Sequence, residues 1–358
     1  MSAESPLYDT LGLMKSGLFC RLLDRGRRNC ANGRWQKGVW PLPRGGRERL
    51  PAINVTTADK SLYYPTLRYG QSRIPPYRRA SYGMGFVKLN GGSITADEEF
   101  IEVLVALKLD TMPGAFECSE GYMRTHGKHD NLHLAGKVGS RYYDLFMKRH
   151  RGWELSESIK LLMARSPSES AGRREWNNII RLEEMGIPTM RPVAVGEKKG
   201  RLFGKHSFVV TERIPNATQM DHYAKEHWAG VLSREELREK RSLLWDVGDL
   251  ARRLHAAGLT HMDLYLNHFF VRETPDGDKA LHLIDLQRVG KRWLFPRRWV
   301  VKDLSAILYS ARHLPLSRTD IARIFTAYFD GSGDARGNRL MKAAIARCER
   351  MMAKLDSR

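Results

Sequence analysis

The chain has 358 residues, 42% of them hydrophobic and eight of them Trp, enough apolar material for two sizeable lobes with cores. A formal net charge of +20 favours an anionic partner, be it nucleic acid, an acidic membrane surface or a phosphorylated substrate, without choosing among them. Cys20, Cys30, Cys118 and Cys348 have no C-x-x-C spacing, which argues against a zinc site or a disulfide framework. Residues 1–19 hold no long apolar leader, and no run of about 18 apolar residues occurs. The expected location is cytoplasmic, or peripheral to a membrane.

In chain order, residues 1–80 read as a basic, irregular extension. From Lys15 to Arg49 ten Lys/Arg face two acids, mixed with Gly, Pro and Trp40. Such an arm suits an anionic surface, and equally a solvated tail without a role. Folded structure is expected from about Phe86. Apolar spacing predicts a helix over Ala96–Leu109, then strands Leu132–Val138 and Tyr142–Met147 around Gly139-Ser140. A helix follows at Arg173–Met185, stopped by Gly186 and Pro188. Strands Pro192–Val195 and Ser207–Thr211 are joined by a Lys198-Lys199-Gly200 turn. Helix Leu243–Ala257 ends at Gly258. Two short strands follow, joined by a turn at Thr274–Asp278, then helices at Lys302–Arg312, Ser317–Tyr328 and about Asn338–Leu355. Strands first and helices afterwards predict an α+β, two-lobed fold: a small β-rich lobe over 81–213 with one key helix, and a larger, mainly helical lobe over 214–358.

The most informative stretches are His261-Met262-Asp263-Leu264-Tyr265-Leu266-Asn267-His268 and Leu283-Ile284-Asp285-Leu286. Two aspartates 22 residues apart, each beside an apolar or strand-like segment with a hairpin turn between them, have the layout of a kinase centre. The first orients or deprotonates an attacking hydroxyl, and the second holds Mg²⁺ against the phosphates of ATP. A cation for those phosphates is Lys148, at the end of a strand. Glu175 shares a helix face with Ile179 and Leu182, and a carboxylate on an apolar face needs a partner. Lys148 is that partner, unless Glu175 faces solvent and Trp176 is the buried anchor. Gly139 and Ser140, just before Lys148, are candidates to cradle a phosphate with backbone N–H groups. Glu212 and Ile214 fall where a strand becomes the hinge between lobes and are candidates to meet adenine.

Several of these segments together resemble the Kdo/WaaP lipopolysaccharide kinase family over roughly residues 95–330. They are Asp263–Phe269, Leu283–Arg288, Arg174-Glu175-Trp176 with Gly186–Thr189, and Lys302-Asp303-Leu304. The resemblance implies a protein-kinase-like fold and ATP- and Mg²⁺-dependent phosphorylation of an inner-core heptose or Kdo. Carried over, Asp263 is the catalytic base, Asp285 the metal ligand, and Lys148 with Glu175 the phosphate-anchoring pair. Ordinary kinases place a metal-binding Asn five residues after the catalytic Asp, where this chain has His268, with Asn267 one residue earlier. Neutral imidazole is a poorer Mg²⁺ ligand than oxygen. The expectation is that His268 orients Asp263 or a phosphate while Asn267 or water completes the metal shell.

The segment after Asp285 is basic, and Arg288, Arg292 and Arg298 are candidates to pair with phosphates and carboxylates of an anionic glycolipid acceptor. Asp303 is expected to be a cap or an internal ion-pair partner. The leading expectation is a kinase of an envelope glycolipid sugar, working in peripheral contact with the cytoplasmic face of the inner membrane. The alternatives are a protein or soluble small-molecule kinase, and a pseudokinase or nucleic-acid-binding protein. Intact Lys148, Glu175, Asp263 and Asp285 speak against a dead enzyme. No nucleic-acid module motif is present, so no nucleic acid is expected as partner.

Overall fold

A computed structural model describes residues 85–126, 129–151, 169–199, 205–274, 277–292, 294, 296–331 and 335–356. The basic stretch 1–80 lies outside the described residues, with Cys20 and Cys30, as do Gly200 and the Pro275-Asp276 corner.

The first elements are strands β1 (Phe86–Leu89) and β2 (Ile94–Asp97), an antiparallel pair. They turn at Asn90-Gly91-Gly92, where all three residues take positive φ. The helix expected over Ala96–Leu109 is shorter: α1 spans Ile101–Ala106, after a 3-10 turn at Glu98–Phe100. Thr95 and Ala96 instead pair in a sheet with Val195 and Ala194, and the Asp97 carboxylate accepts from Glu99 N. All four residues of β2 are buried, so tertiary pairing overrides a helical period that continues only beyond them. Helix α2 (Met112–Glu117) is capped by Thr111.

Strands β3 (Tyr122–His126), β4 (His129–Val138) and β5 (Arg141–His150) form a meander. Helix α3 (Ala171–Glu184) follows, with Ser170 as N-cap, then β6 (Pro192–Lys199) and β7 (Lys205–Glu212). These strands make one antiparallel sheet in the order β1-β2-β6-β7-β5-β4-β3. Its apolar core contains Phe100, Leu104, Leu134, Leu145, Met147 and Phe208.

After β7 come β8 (Ala217–Gln219), α4 (Met220–His227) and α5 (Arg234–Ala256). Helix α5 begins nine residues earlier than its apolar face announces. Its first turns carry Arg and Glu, and a Ser233/Glu236 capping box stabilises them. Short strands β9 (Leu259–Thr260), β10 (Phe269–Glu273), β11 (Lys279–Leu283) and β12 (Gly290–Lys291) follow, paired β11-β10-β8 and β12-β9. Helices α6 (Pro296–Ala311), α7 (Arg318–Tyr328) and α8 (Ala335–Asp356) complete the described chain. The architecture is α+β, a sheet-rich part followed by a helix-rich part.

The larger core gathers α5 to α8 and the short strands, and it also takes Ile179 and Leu182 from α3. Trp176, one turn earlier on α3, packs instead on Val195 and Val209 of the sheet. Helix α3 therefore joins the larger core to the sheet, Ile179 and Leu182 facing the one and Trp176 the other.

Gly248 lets α5 and α7 approach closely. A Cβ there would stand 2.0 Å from the Ile324 carbonyl oxygen and 2.8 Å from Ala327 Cβ. Gly248→Ala is expected to lower stability by about 1–3 kcal/mol, the usual range for overpacking. Urea unfolding measures it; an unchanged midpoint would mean that the two helices separate freely.

Candidate active site

Lys148 lies on β5, an inner strand, opposite Asn131 of β4 and Val209 of β7. Its Nζ stands 2.8 Å from Glu175 Oε1 and 2.9 Å from Asp285 Oδ1. Three distant segments thus meet on one ammonium. The Glu175 side chain is 1% exposed, and Trp176 is buried beside it, so the two do not compete for the interior. Burial pushes the Glu175 carboxyl up from its ordinary pKa, with Lys148 pulling the other way. For Lys148, burial opposes the charge, but Glu175 and Asp285 outweigh it and raise its pKa, so the ammonium persists at neutral pH. Burial raises the Asp285 carboxyl as well, and the Lys148 ammonium more than offsets this, leaving it below its ordinary value.

Asp285 follows β11 with left-handed backbone angles, φ 59° and ψ 56°. Met262, just before Asp263, has φ 79°. Non-glycine residues hold such angles only where their surroundings enforce them. The enforcing group beside Met262 is the Asp303 carboxylate, fully buried on α6. Its oxygens accept from His261 N at 2.7 Å and Met262 N at 2.8 Å, and His255 Nε2 lies 3.2 Å away. His261, also buried, donates from Nε2 to the Ile284 carbonyl at 3.0 Å, tying this loop to the strand end that carries Asp285. Burial lowers the His261 pKa, with Asp303 opposing.

The Asp263 carboxylate meets two cations. Lys302 Nζ is 3.2 Å from Oδ1 and also donates to the Met262 carbonyl, while Arg288 donates to Oδ2. His268 Nδ1 lies 2.7 Å from the Asp263 main-chain carbonyl, so this nitrogen carries the proton. Its Nε2 then offers a lone pair 4.0 Å from Asp285 Oδ2.

Of the other expected site residues, the Gly139-Ser140 pair stands elsewhere. Gly139 and Ser140 form the turn at the far end of the β4–β5 hairpin, since Val138 pairs with Arg141 while Lys148 pairs with Asn131. Seven residues of strand, about 23 Å at ~3.3 Å each, separate that turn from Lys148. The antiparallel register therefore removes it from the cluster; the strand end nearest Lys148 is the one where β3 and β4 join, and residues 127 and 128 there lie outside the described residues. Glu212 N donates to the Arg191 carbonyl. Glu212 and Ile214 line a pocket with Glu183, Met190, Arg272 and His282, which does not include Lys148, Asp263 or Asp285. Asn267 gives its main-chain carbonyl to Gln219, and its buried Oδ1 has no partner among the described residues. His268 Nε2 faces the Asp285 carboxylate at 4.0 Å. Arg292 donates to the Arg288 carbonyl and, like exposed Arg298, lies over the Trp299 ring.

Sequence reasoning missed Lys302 as a partner of Asp263. The signal for Asp303 was present: an acid followed by Leu304, Ile307 and Leu308 on one apolar helix face needs internal donors.

The model of the lipopolysaccharide kinase (Kdo/WaaP) family matches residues 135–328. The chain belongs to this family. Among its relatives is the lipopolysaccharide core heptose(I) kinase WaaP of Escherichia coli, 36% identical over 187 residues, or 51% of this chain and 69% of the relative. WaaP of Pseudomonas aeruginosa is 35% identical over 199 residues, 55% of this chain and 72% of the relative. The 3-deoxy-D-manno-octulosonic acid kinase of Actinobacillus succinogenes is 27% identical over 119 residues, covering 33% and 45%. A solved structure of WaaP in complex with acyl carrier protein is 28% identical, with a TM-score of 0.55, covering 76% of this chain and 99% of that one. The α+β architecture is thus the two-lobed, kinase-like fold of the Kdo/WaaP family.

The Asp303 clamp yields a test. Asp303→Asn replaces one accepting oxygen by an NH₂ group facing a buried N–H, at a cost of about 1–3 kcal/mol. Displacement of Asp263 is expected to reduce kcat by about 10²-fold. Nucleotide affinity should hold, because Lys148 lies outside the clamp. A variant with normal kcat would show that the loop keeps its shape without Asp303.

Proposed function

We propose that this chain is a kinase that transfers the γ-phosphoryl group of ATP to a sugar hydroxyl in the inner core of lipopolysaccharide. The observation that carries the reading is the convergence of Lys148, Glu175 and Asp285 on one ion-pair cluster, with His268 bridging it to Asp263, in a chain of the Kdo/WaaP family. Phosphoryl transfer needs positioning and charge neutralisation, and these groups supply both. Lys148 holds phosphate oxygens of ATP, and Glu175 fixes Lys148. Asp263 orients the acceptor hydroxyl and takes its proton. Residues 81–213 serve as the nucleotide lobe, and residues 214–358 carry the base and the acceptor side.

Asp285 and His268 fit a divalent cation. One carboxylate and one imidazole lone pair face each other with no ion pair shorter than 4.0 Å between them. Mg²⁺ is bound with few protein ligands, the remainder being phosphate oxygens and water. Bound there, it would neutralise charge on the transferred group.

Longer and closer matches to heptose(I) kinases than to 3-deoxy-D-manno-octulosonic acid kinases favour a heptose hydroxyl as acceptor. The charge of +20 suits an anionic glycolipid and work in peripheral contact with the cytoplasmic face of the inner membrane. Among the described residues no helix is long and apolar enough to cross a membrane.

Incubation with labelled ATP and heptose-bearing core glycolipid tests the reading. Transfer to the glycolipid is expected, and loss of about 10²–10⁴-fold in Asp263→Asn with ATP binding intact. A folded Asp263→Asn protein with near-normal turnover would remove Asp263 from the mechanism. In Asp285→Ala, Mg²⁺ is expected to lose its strengthening effect on ATP binding. If that effect kept its wild-type size, another residue would be the ligand.

A further inference from the structure

Asp263 gives its two carboxylate oxygens to two cations whose surroundings differ. Lys302, on Oδ1, has a side chain only 21% exposed, donates a second bond to the Met262 carbonyl, and precedes the buried Asp303 that fixes the same loop. Burial lowers its pKa, with Asp263 opposing. Arg288, on Oδ2, has a side chain 52% exposed, and among the described residues Asp263 is the acceptor its guanidinium has. The backbone behind it is fixed: Asn178 Nδ2 donates to the Leu286 and Val289 carbonyls at 2.8 and 2.9 Å, and Arg292 donates to the Arg288 carbonyl. Lys302 is thus an anchored partner of the base, and Arg288 a side chain able to swing about a pinned backbone.

A base must present an open oxygen to the hydroxyl it deprotonates. With Arg288 on Oδ2 and Lys302 on Oδ1, each oxygen already accepts from a cation, and the lone pair left on each is less basic for it. We propose that Arg288 is a specificity-determining residue for anionic acceptors: it covers Oδ2 of Asp263 in the free enzyme and leaves it for a phosphate or carboxylate that the acceptor carries near its reactive hydroxyl. This rests on the kinase reading above. The exchange runs in the right direction. A half-exposed ion pair is weak, whereas a guanidinium binds phosphate or carboxylate bidentately. A neutral sugar, or water, offers nothing in exchange and leaves the base covered. Once Oδ2 is open, the acceptor oxygen forms its bond to the γ-phosphorus while the bond from that phosphorus to the β–γ bridging oxygen breaks. ADP leaves with the electron pair, and the hydroxyl proton passes to Oδ2. Lys302 keeps Asp263 in place throughout.

The test compares wild type, Arg288→Gln and Arg288→Lys on three acceptors: water, a neutral heptoside, and core glycolipid bearing phosphates and carboxylates. Nucleotide affinity checks the fold of each variant. Arg288→Gln is expected to hydrolyse ATP without acceptor up to about fivefold faster than wild type, the factor that a partly exposed ion pair supplies. Turnover of the neutral heptoside should rise likewise, while KM for the glycolipid rises about tenfold or more through loss of a charged hydrogen bond. Arg288→Lys should keep part of the discrimination. Hydrolysis and heptoside turnover that fall together with glycolipid turnover, at normal nucleotide affinity, would overturn the proposal, because Arg288 would then assist Asp263. No change on any acceptor would overturn it too. A wild type that transfers nothing to the glycolipid would sink the functional reading instead, and the hydrolysis arm would still decide whether Arg288 covers the base.

Discussion

The ammonium of Lys148 is the interaction on which the rest depends. It joins a strand of the sheet, a helix packed between the sheet and the larger core, and the turn after β11 in the helical part. Glu175 is buried and cannot remain charged without it, and its burial already pushes the carboxyl towards the neutral form. Asp285, in turn, owes part of its lowered pKa to the same ammonium. Moving α3 outward would break one contact and leave a charge stranded, so the position of the helix and the state of the phosphate site are linked.

Around this centre a second network holds the backbone. The Asp303 carboxylate fixes two amides before Asp263, and Ser310 accepts from Leu266 N a few residues later. His261 reaches across to Ile284, and Ile284 N donates to the His268 carbonyl. Two of the positive-φ residues, Met262 and Asp285, sit at the two ends of this lattice. Backbone strain there falls at or next to the carboxylates of Asp263 and Asp285.

The sequence made some of this legible and left some hidden for physical reasons. Glu175 could be read because a carboxylate on an apolar helix face demands a partner, and the nearest inward cation was Lys148. Helices α3, α6 and α7 announced themselves by apolar spacing and by caps such as Ser317. β2 did not, because Ile94–Asp97 is buried on both faces and lacks the alternation of a half-buried strand. The Gly139-Ser140 turn looked suitable because it precedes Lys148 in the chain. Antiparallel pairing sends proximity in sequence to the opposite end of a ten-residue strand, and that is invisible without the register. The role of Lys302 was hidden for a similar reason, since its contact with Asp263 spans 39 residues.

The distribution of charge completes the argument. The excess of +20 suggests a strongly positive cleft, yet the central groups are close to balanced: Lys148 faces two carboxylates, and Asp263 faces two cations. Excess charge lies instead on groups such as Arg297 and Arg298, which are exposed at the start of α6. Exposed charges act over a screening length of about 8–10 Å and raise the encounter rate with an anion. They discriminate poorly, because every anion feels the same field. Discrimination has to come from a cation whose partner inside the site is exchanged when the right anion arrives. Arg288 meets that condition: it lies at the border of the balanced centre and the basic surface, paired with the base and half open to solvent.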